Sequence, residues 1–156
     1  MPKYRSLTSQ ELQELEKEFI DYLVVNSITG DDWVKLKKEN LAKAEKIIDL
    51  FSDVVFEGVL RKVQYLEFRG QKVLRTFQCL ADQIVMVAME AAPESTADFN
   101  DPQFIARAST NPPEGLKIYT SSKAYEDTRE MELFKMIESG CSISDGKLFK
   151  ALCLSL

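Results

Sequence analysis

Histidine is absent from the 156-residue chain. Its absence removes the commonest general base, the usual partner of a serine or cysteine nucleophile, and the commonest zinc ligand. Three cysteines, Cys79, Cys141 and Cys153, make an odd number with no CxxC spacing. Neither a disulfide framework nor a structural zinc site fits them, so reduced thiols in a cytoplasm are the expectation. Phosphate loops and nucleophile elbows are missing too. The first residues, Met1-Pro2-Lys3-Tyr4-Arg5-Ser6-Leu7, lack the apolar run of a secretory signal, and no segment approaches a membrane span. An enzyme built on this chain would depend on carboxylates, Lys, Tyr or a bound cofactor, and no particular cofactor or metal is signalled.

What remains is an ordinary globular composition. Apolar residues at 45% and charged residues at 29% are enough to bury a core within one domain spanning 1–156. The net charge of -5 is spread evenly along the chain, which disfavours nucleic acid and anionic membrane as partners, since both demand a concentrated positive field.

Periodicity predicts the elements. Thr8 and Glu11 form a capping box ahead of Leu12, Leu15, Phe19, Tyr22 and Leu23, so a helix is expected over about 9–25. A short helix with Trp33 and Leu36 as apolar contacts follows over 31–38. A longer one covers about 41–61, and its second half is apolar on most of its circumference, as in a buried central helix. Strands are predicted at 63–68, 73–80 and 84–89, joined by hairpins at Gly70-Gln71 and Ala81-Asp82. That register opposes Phe68 to Val73, Leu66 to Arg75, Phe77 to Met86 and Cys79 to Ile84. One sheet face then carries Leu66, Phe68, Val73, Phe77, Cys79, Ile84 and Met86, interrupted by Arg75, and the other Val63, Tyr65, Leu74, Leu80, Val85, Val87 and Met89. An antiparallel sheet with one wet face alternates between apolar and polar, and this one does not. A loop over 91–100 leads to a helix at 102–108, started by Asp101-Pro102 and ended by Asn111-Pro112-Pro113. A fourth strand is predicted at 116–120. Two final helices, about 127–139 and 145–154, form a corner about Gly140.

Asp49, Asp53 and Glu57 are the one constellation with chemical potential. They recur at i, i+4 and i+8 on a helix face, where carboxylates can hold a hard cation such as Mg²⁺ or act as acid and base. The competing reading is a solvated stripe with Lys46 and Arg61 as ion-pair partners. Glu67 and Arg75, charges inside strands, suggest a cross-strand pair. The basic cluster Lys35, Lys37, Lys38, Lys43 and Lys46 is flanked by acidic residues and lacks the aromatics or glycines of a phosphate site.

The segments Lys3-Tyr4-Arg5-Ser6-Leu7, Phe51-Ser52-Asp53 and Glu57-Gly58-Val59-Leu60, with Tyr65-Leu66, resemble a family of small bacterial proteins of unknown function. The resemblance implies a bacterial cytoplasmic protein and carries over no catalytic residue or cofactor.

The expectation is an α+β fold with a three- to four-stranded antiparallel sheet packed by N-terminal and C-terminal helices. The two apolar sheet faces are covered either by those helices or by a second subunit. The favoured function is a non-enzymatic protein-interaction module that forms a homodimer or binds another protein. The alternative is a small Mg-dependent enzyme or ligand-binding protein using Asp49, Asp53 and Glu57.

Overall fold

A computed structural model of the protein describes residues 1–110 and 115–156, with backbone alone at 108–110. It divides into two compact units, Met1–Arg61 and Lys62–Leu156.

The first unit is helical. The predicted 9–25 helix is two helices, α1 (Ser9–Glu14) and α2 (Glu16–Val25), separated by the single non-helical residue Leu15. Thr8 caps α1 through a complete capping box with Glu11, and Thr29 does the same for α3 (Gly30–Glu39) with Asp32. The long helix α4 (Leu41–Lys62) follows. Leu7, Phe19, Leu23 and Phe51 form the core of this unit. The Phe19 ring lies 5.0 Å from Phe51 and meets Trp33 edge-on at 5.2 Å, within the range where tilted aromatic pairs attract. The second half of α4 departs from the expected all-round burial. Phe51 and Ser52 are buried, whereas Leu50 is 50% and Val54 57% exposed.

The second unit is built on one antiparallel sheet of five strands, β1 (Tyr65–Arg69), β2 (Val73–Cys79), β3 (Gln83–Ala91), β4 (Leu116–Ala124) and β5 (Ser142–Ser144), in the order β4-β3-β2-β1-β5. Its helices are α5 (Pro102–Thr110), α6 (Arg129–Glu138) and α7 (Lys147–Cys153). The fold is α+β as expected, with one strand more than the three or four anticipated. The extra strand is β5. It lies in the turn expected between the last two helices, because the chain leaving Gly140 pairs Ser142, Ile143 and Ser144 with Glu67, Leu66 and Tyr65. The Asn111-to-Glu114 stretch expected to end α5 lies outside the described residues.

The second hairpin has the predicted register, with Phe77 opposite Met86 and Cys79 opposite Ile84. The first is shifted by two residues, so that Phe68 opposes Arg75 and Leu66 opposes Phe77. Its turn is Gln71-Lys72 rather than Gly70-Gln71, because Gly70 N–H donates to Val73 O at 2.8 Å. The carbonyls of Gln71 and Lys72 also accept Phe99 N–H and Ala91 N–H, at 3.0 and 2.9 Å, which binds the turn to the chain leaving β3. A shift of two leaves each side chain on its original face, so the predicted face compositions survive the register error.

Leu74, Val87, Met89 and Ala91 on one face pack with Phe99, Phe149 and Leu152 into the core of this unit. On the other face Leu66, Cys79, Ile84 and Ala88 are buried, while Phe68, Phe77 and Met86 are half-buried. The guanidinium of Arg129, at the start of α6, donates to three carbonyls at the strand ends, those of Val63, Cys79 (3.2 Å) and Leu80 (3.1 Å). Lys123 of β4 meets Glu132 of α6 at 2.7 Å. Glu67 and Arg75 fall on opposite faces and do not pair. Glu67 accepts from Ser144 Oγ at 2.8 Å and Arg69 at 3.1 Å, and Arg75 lies over the Phe68 ring at 5.8 Å. No helix among the described residues is long and apolar enough to cross a membrane.

Candidate functional site

The carboxylates Asp49, Asp53 and Glu57 share one stripe of α4, and the segment from Lys3 to Leu7 lies along that stripe. The backbone N–H groups of Lys3 and Tyr4 donate to the two oxygens of Asp53 at 2.9 and 3.2 Å. The Tyr4 hydroxyl donates to Glu57, with Lys3 Nζ 3.4 Å and Arg61 3.6 Å from the same carboxylate. Ser6 Oγ donates to Asp49. Leu7 N–H donates at 2.9 Å to Ser52 Oγ, which in turn donates to Ile48 O at 2.7 Å. Lys3 and Tyr4 meet Asp53 and Glu57, and Ser6 and Leu7 meet Asp49 and Ser52, so the segment forms a strap that runs broadly antiparallel to α4.

Asp53 thus takes up the backbone N–H groups of Lys3 and Tyr4, while Asp49 and Glu57 accept from the hydroxyls of Ser6 and Tyr4. An isolated strand leaves its N–H groups without partners, and burial makes such groups costly. The side chains of the strap divide by chemistry. Leu7 is buried in the helical core, and Tyr4 packs its ring 6.0 Å from Phe56. Arg5 turns back to grip Glu11 through both oxygens at 2.8 and 3.0 Å, with its guanidinium 4.8 Å from the Phe56 ring. Glu11 also accepts Thr8 N–H at 2.9 Å, so the capping box of α1 and the strap share one carboxylate.

These bonds favour the charged forms. The Arg5 guanidinium and the Thr8 backbone N–H hold the Glu11 carboxyl down at about 2. The Tyr4 hydroxyl, with Lys3 and Arg61 near, lowers Glu57. Folded values depressed below the ordinary 4.5 stabilise the fold above that pH and lose the stabilisation as pH falls toward the folded values. The denaturation midpoint is accordingly expected to be level from pH 7 to about 5 and to fall below about 4.5, with a shallower acid limb in Arg5→Gln. Urea titrations across that range measure it, and an unchanged limb in the variant would count against Arg5 as the dominant partner.

Asp49 and Asp53 also line a hollow of 420 Å³ with Met1, Lys46 and Leu50. Eight residues of helix separate Asp49 from Glu57, roughly 12 Å at 1.5 Å per residue, too far for the whole stripe to close on one ion. Among the described residues no three Asp, Glu or Cys side chains gather as a metal-binding group. The three cysteines are free, with Cys79 buried, Cys141 half-buried and Cys153 exposed. Burial pushes the Cys79 thiol up to about 11, so it is held protonated.

Sequence reasoning located the stripe and missed its occupant. The signal was present in two halves: polar residues repeating on a largely apolar helix, and a short polar segment ahead of the first helix. No local rule connects positions that far apart.

The model of a family of unknown function, DUF6495, matches residues 1–156. No curated protein matches the chain, and no solved structure matches it.

Proposed function

The chain belongs to the DUF6495 family of unknown function, and we propose that it is a non-enzymatic interaction module whose first partner is a second copy of itself, bound through the outer face of α4. The observation that carries this reading is the pair Leu50 and Val54, half or more exposed one turn apart on α4. Neighbouring exposed aliphatics at i and i+4 form an apolar stripe of the kind that helices bury against one another.

The flanking charges favour a like partner. Lys43, Leu50 and Glu57 recur at heptad spacing and so share one stripe. Lys43 and Glu57 lie equally far either side of Leu50. A two-fold axis at Leu50 that pairs two α4 helices antiparallel would bring Lys43 of each copy beside Glu57 of the other, as a further cation at a carboxylate that already accepts from Tyr4. Isologous contact of this kind needs a surface complementary to itself. Asp49, Asp53 and Glu57 are occupied by the strap, and Leu50 and Val54 beside them stay exposed.

Sedimentation or light scattering across a concentration series is expected to give a dimer mass that falls to the monomer in Leu50→Glu, with helical circular dichroism unchanged. Lys43→Glu is expected to weaken the dimer by about tenfold, the scale of one lost favourable contact plus like-charge repulsion. A wild-type chain that stays monomeric at several hundred micromolar would overturn the proposal. Mg²⁺-dependent thermal stabilisation that disappears in Asp53→Asn would instead support a carboxylate-held cation.

A further inference from the structure

A cleft of 470 Å³ opens in the second unit between the sheet and α6. Its floor is the half-buried face of Phe68 and Phe77, and cations stand around it: Arg75 from β2, Lys123 from β4 and Lys135 from α6. Among the described residues the single acid lining it, Glu132, is already committed, accepting from Lys123 at 2.7 Å and from the backbone N–H of Glu126 at 2.9 Å. That engagement lowers the Glu132 carboxyl and raises the Lys123 ammonium, which keeps the pair charged. Lys135, three residues after Glu132 on α6, also feels that carboxylate, and Arg75 stands over the Phe68 ring. The cleft therefore holds a local positive excess in a chain of net charge -5. At Phe77 and Lys123 it continues into a smaller apolar recess of 130 Å³ bordered by Ile84 and Met86.

We infer that this cleft binds a small organic anion with a flat apolar body. The ring would lie on Phe68 and Phe77, and the anionic group would reach Arg75 and Lys135. Small-molecule sites characteristically combine an apolar lining with a few convergent polar groups, in volumes of roughly 300–1,000 Å³. The planar guanidinium of Arg75 presents a donor fork that matches a carboxylate or a phosphate through two parallel bonds. Arg75 stands 5.8 Å from the centroid of the Phe68 ring, at the edge of the surface where the ligand ring would lie. Glu132 is kept from repelling the ligand by its bond to Lys123. Its role is positioning, because it fixes that lysine at the rim.

The inference does not depend on self-association, since every residue it uses belongs to the second unit and α4 supplies none. The test is titration of the full chain with phenylacetate, phenyl phosphate and the neutral phenylacetamide, read by calorimetry and by amide chemical shifts. Binding is expected for at least one anion, with shifts centred on Phe68, Arg75, Phe77 and Lys135, and at least tenfold weaker binding of the amide. The better of the two anions identifies the head group. Arg75→Gln and Lys135→Gln should each weaken binding about tenfold while the amide spectrum retains its folded dispersion. Absence of binding by both anions at millimolar concentration would overturn the inference. So would affinity unchanged in both variants, or shifts confined to other regions.

Discussion

Gly146→Ala is expected to destabilise the second unit by about 3 kcal/mol. Gly146 precedes α7 with φ at 84°, a left-handed conformation that carries a penalty of about 1–2 kcal/mol for any residue with a Cβ. There is no room for the side chain either. A Cβ at this position would stand 2.5 Å from the ring of Tyr65. Tyr65 cannot simply step aside, because it is a strand residue whose ring packs 5.7 Å from Phe149 in the core. Forcing extra volume into a packed site costs about 1–3 kcal/mol, and the two effects act together. The midpoint of thermal unfolding should fall by roughly 10 °C, taking about 2–4 °C per kcal/mol for a chain of this size. Gly58→Ala provides the contrast. Nothing lies within 4 Å of a Cβ there and Gly58 is interior to α4, so the same substitution should stabilise by about 1 kcal/mol through helix propensity. Matching losses at both glycines would show that neither space nor dihedral angle decides the outcome.

Ser52→Ala is expected to lower the stability of the helical unit by about 1.5 kcal/mol. Ser52 is wholly buried on α4, and its hydroxyl both accepts from Leu7 N–H and donates to Ile48 O. Alanine supplies neither function. The Ile48 carbonyl keeps its helical partner, but the Leu7 N–H is left buried without an acceptor, at a cost of about 1–3 kcal/mol. Against this stands a gain of about 0.5 kcal/mol in helix propensity when alanine replaces serine. The loss prevails. Tyr4→Phe in the Ser52→Ala background separates the strap from the helix in a double-mutant cycle, since the two bonds lie at opposite ends of the same segment. Chemical denaturation with the four chains gives the coupling. An additive result would mean that the strap does not act as one piece.

The sheet was legible because its strands are long, bounded by turn residues and rich in β-branched and aromatic side chains. The apolar character of both faces was visible for the same reason. β5 was not legible, because three residues, two of them serine, give no periodicity to read. Its existence depends on β1 offering an open edge at Tyr65, Leu66 and Glu67, which is a tertiary fact. The first hairpin departs from the expected register because Gly70 precedes the turn, closing it through its N–H to Val73 O, and needs no positive φ there. Its smallness matters instead, since a Cβ there would lie 3.1 Å from Val73 Cγ1. For the candidate site, periodicity placed Asp49, Asp53 and Glu57 on one face and nothing local could supply the strap. The cleft over Phe68 and Phe77 draws on four separate elements, and Arg75, one of its cations, reads in the sequence as a strand partner of Glu67.

The strap is expected to close late in folding. Its bonds to α4 join positions 43 to 54 residues apart. Loops of that length close at an entropic cost that the first helical turns need not bear. The helices can therefore form before the strap is seated, and residues 3–7, which precede everything they bind, wait until α4 exists. An interaction made after the rate-limiting step leaves the folding rate alone and acts on unfolding. Stopped-flow kinetics on Ser52→Ala should accordingly show faster unfolding and near-unchanged folding, the behaviour of a latch closed last and opened first.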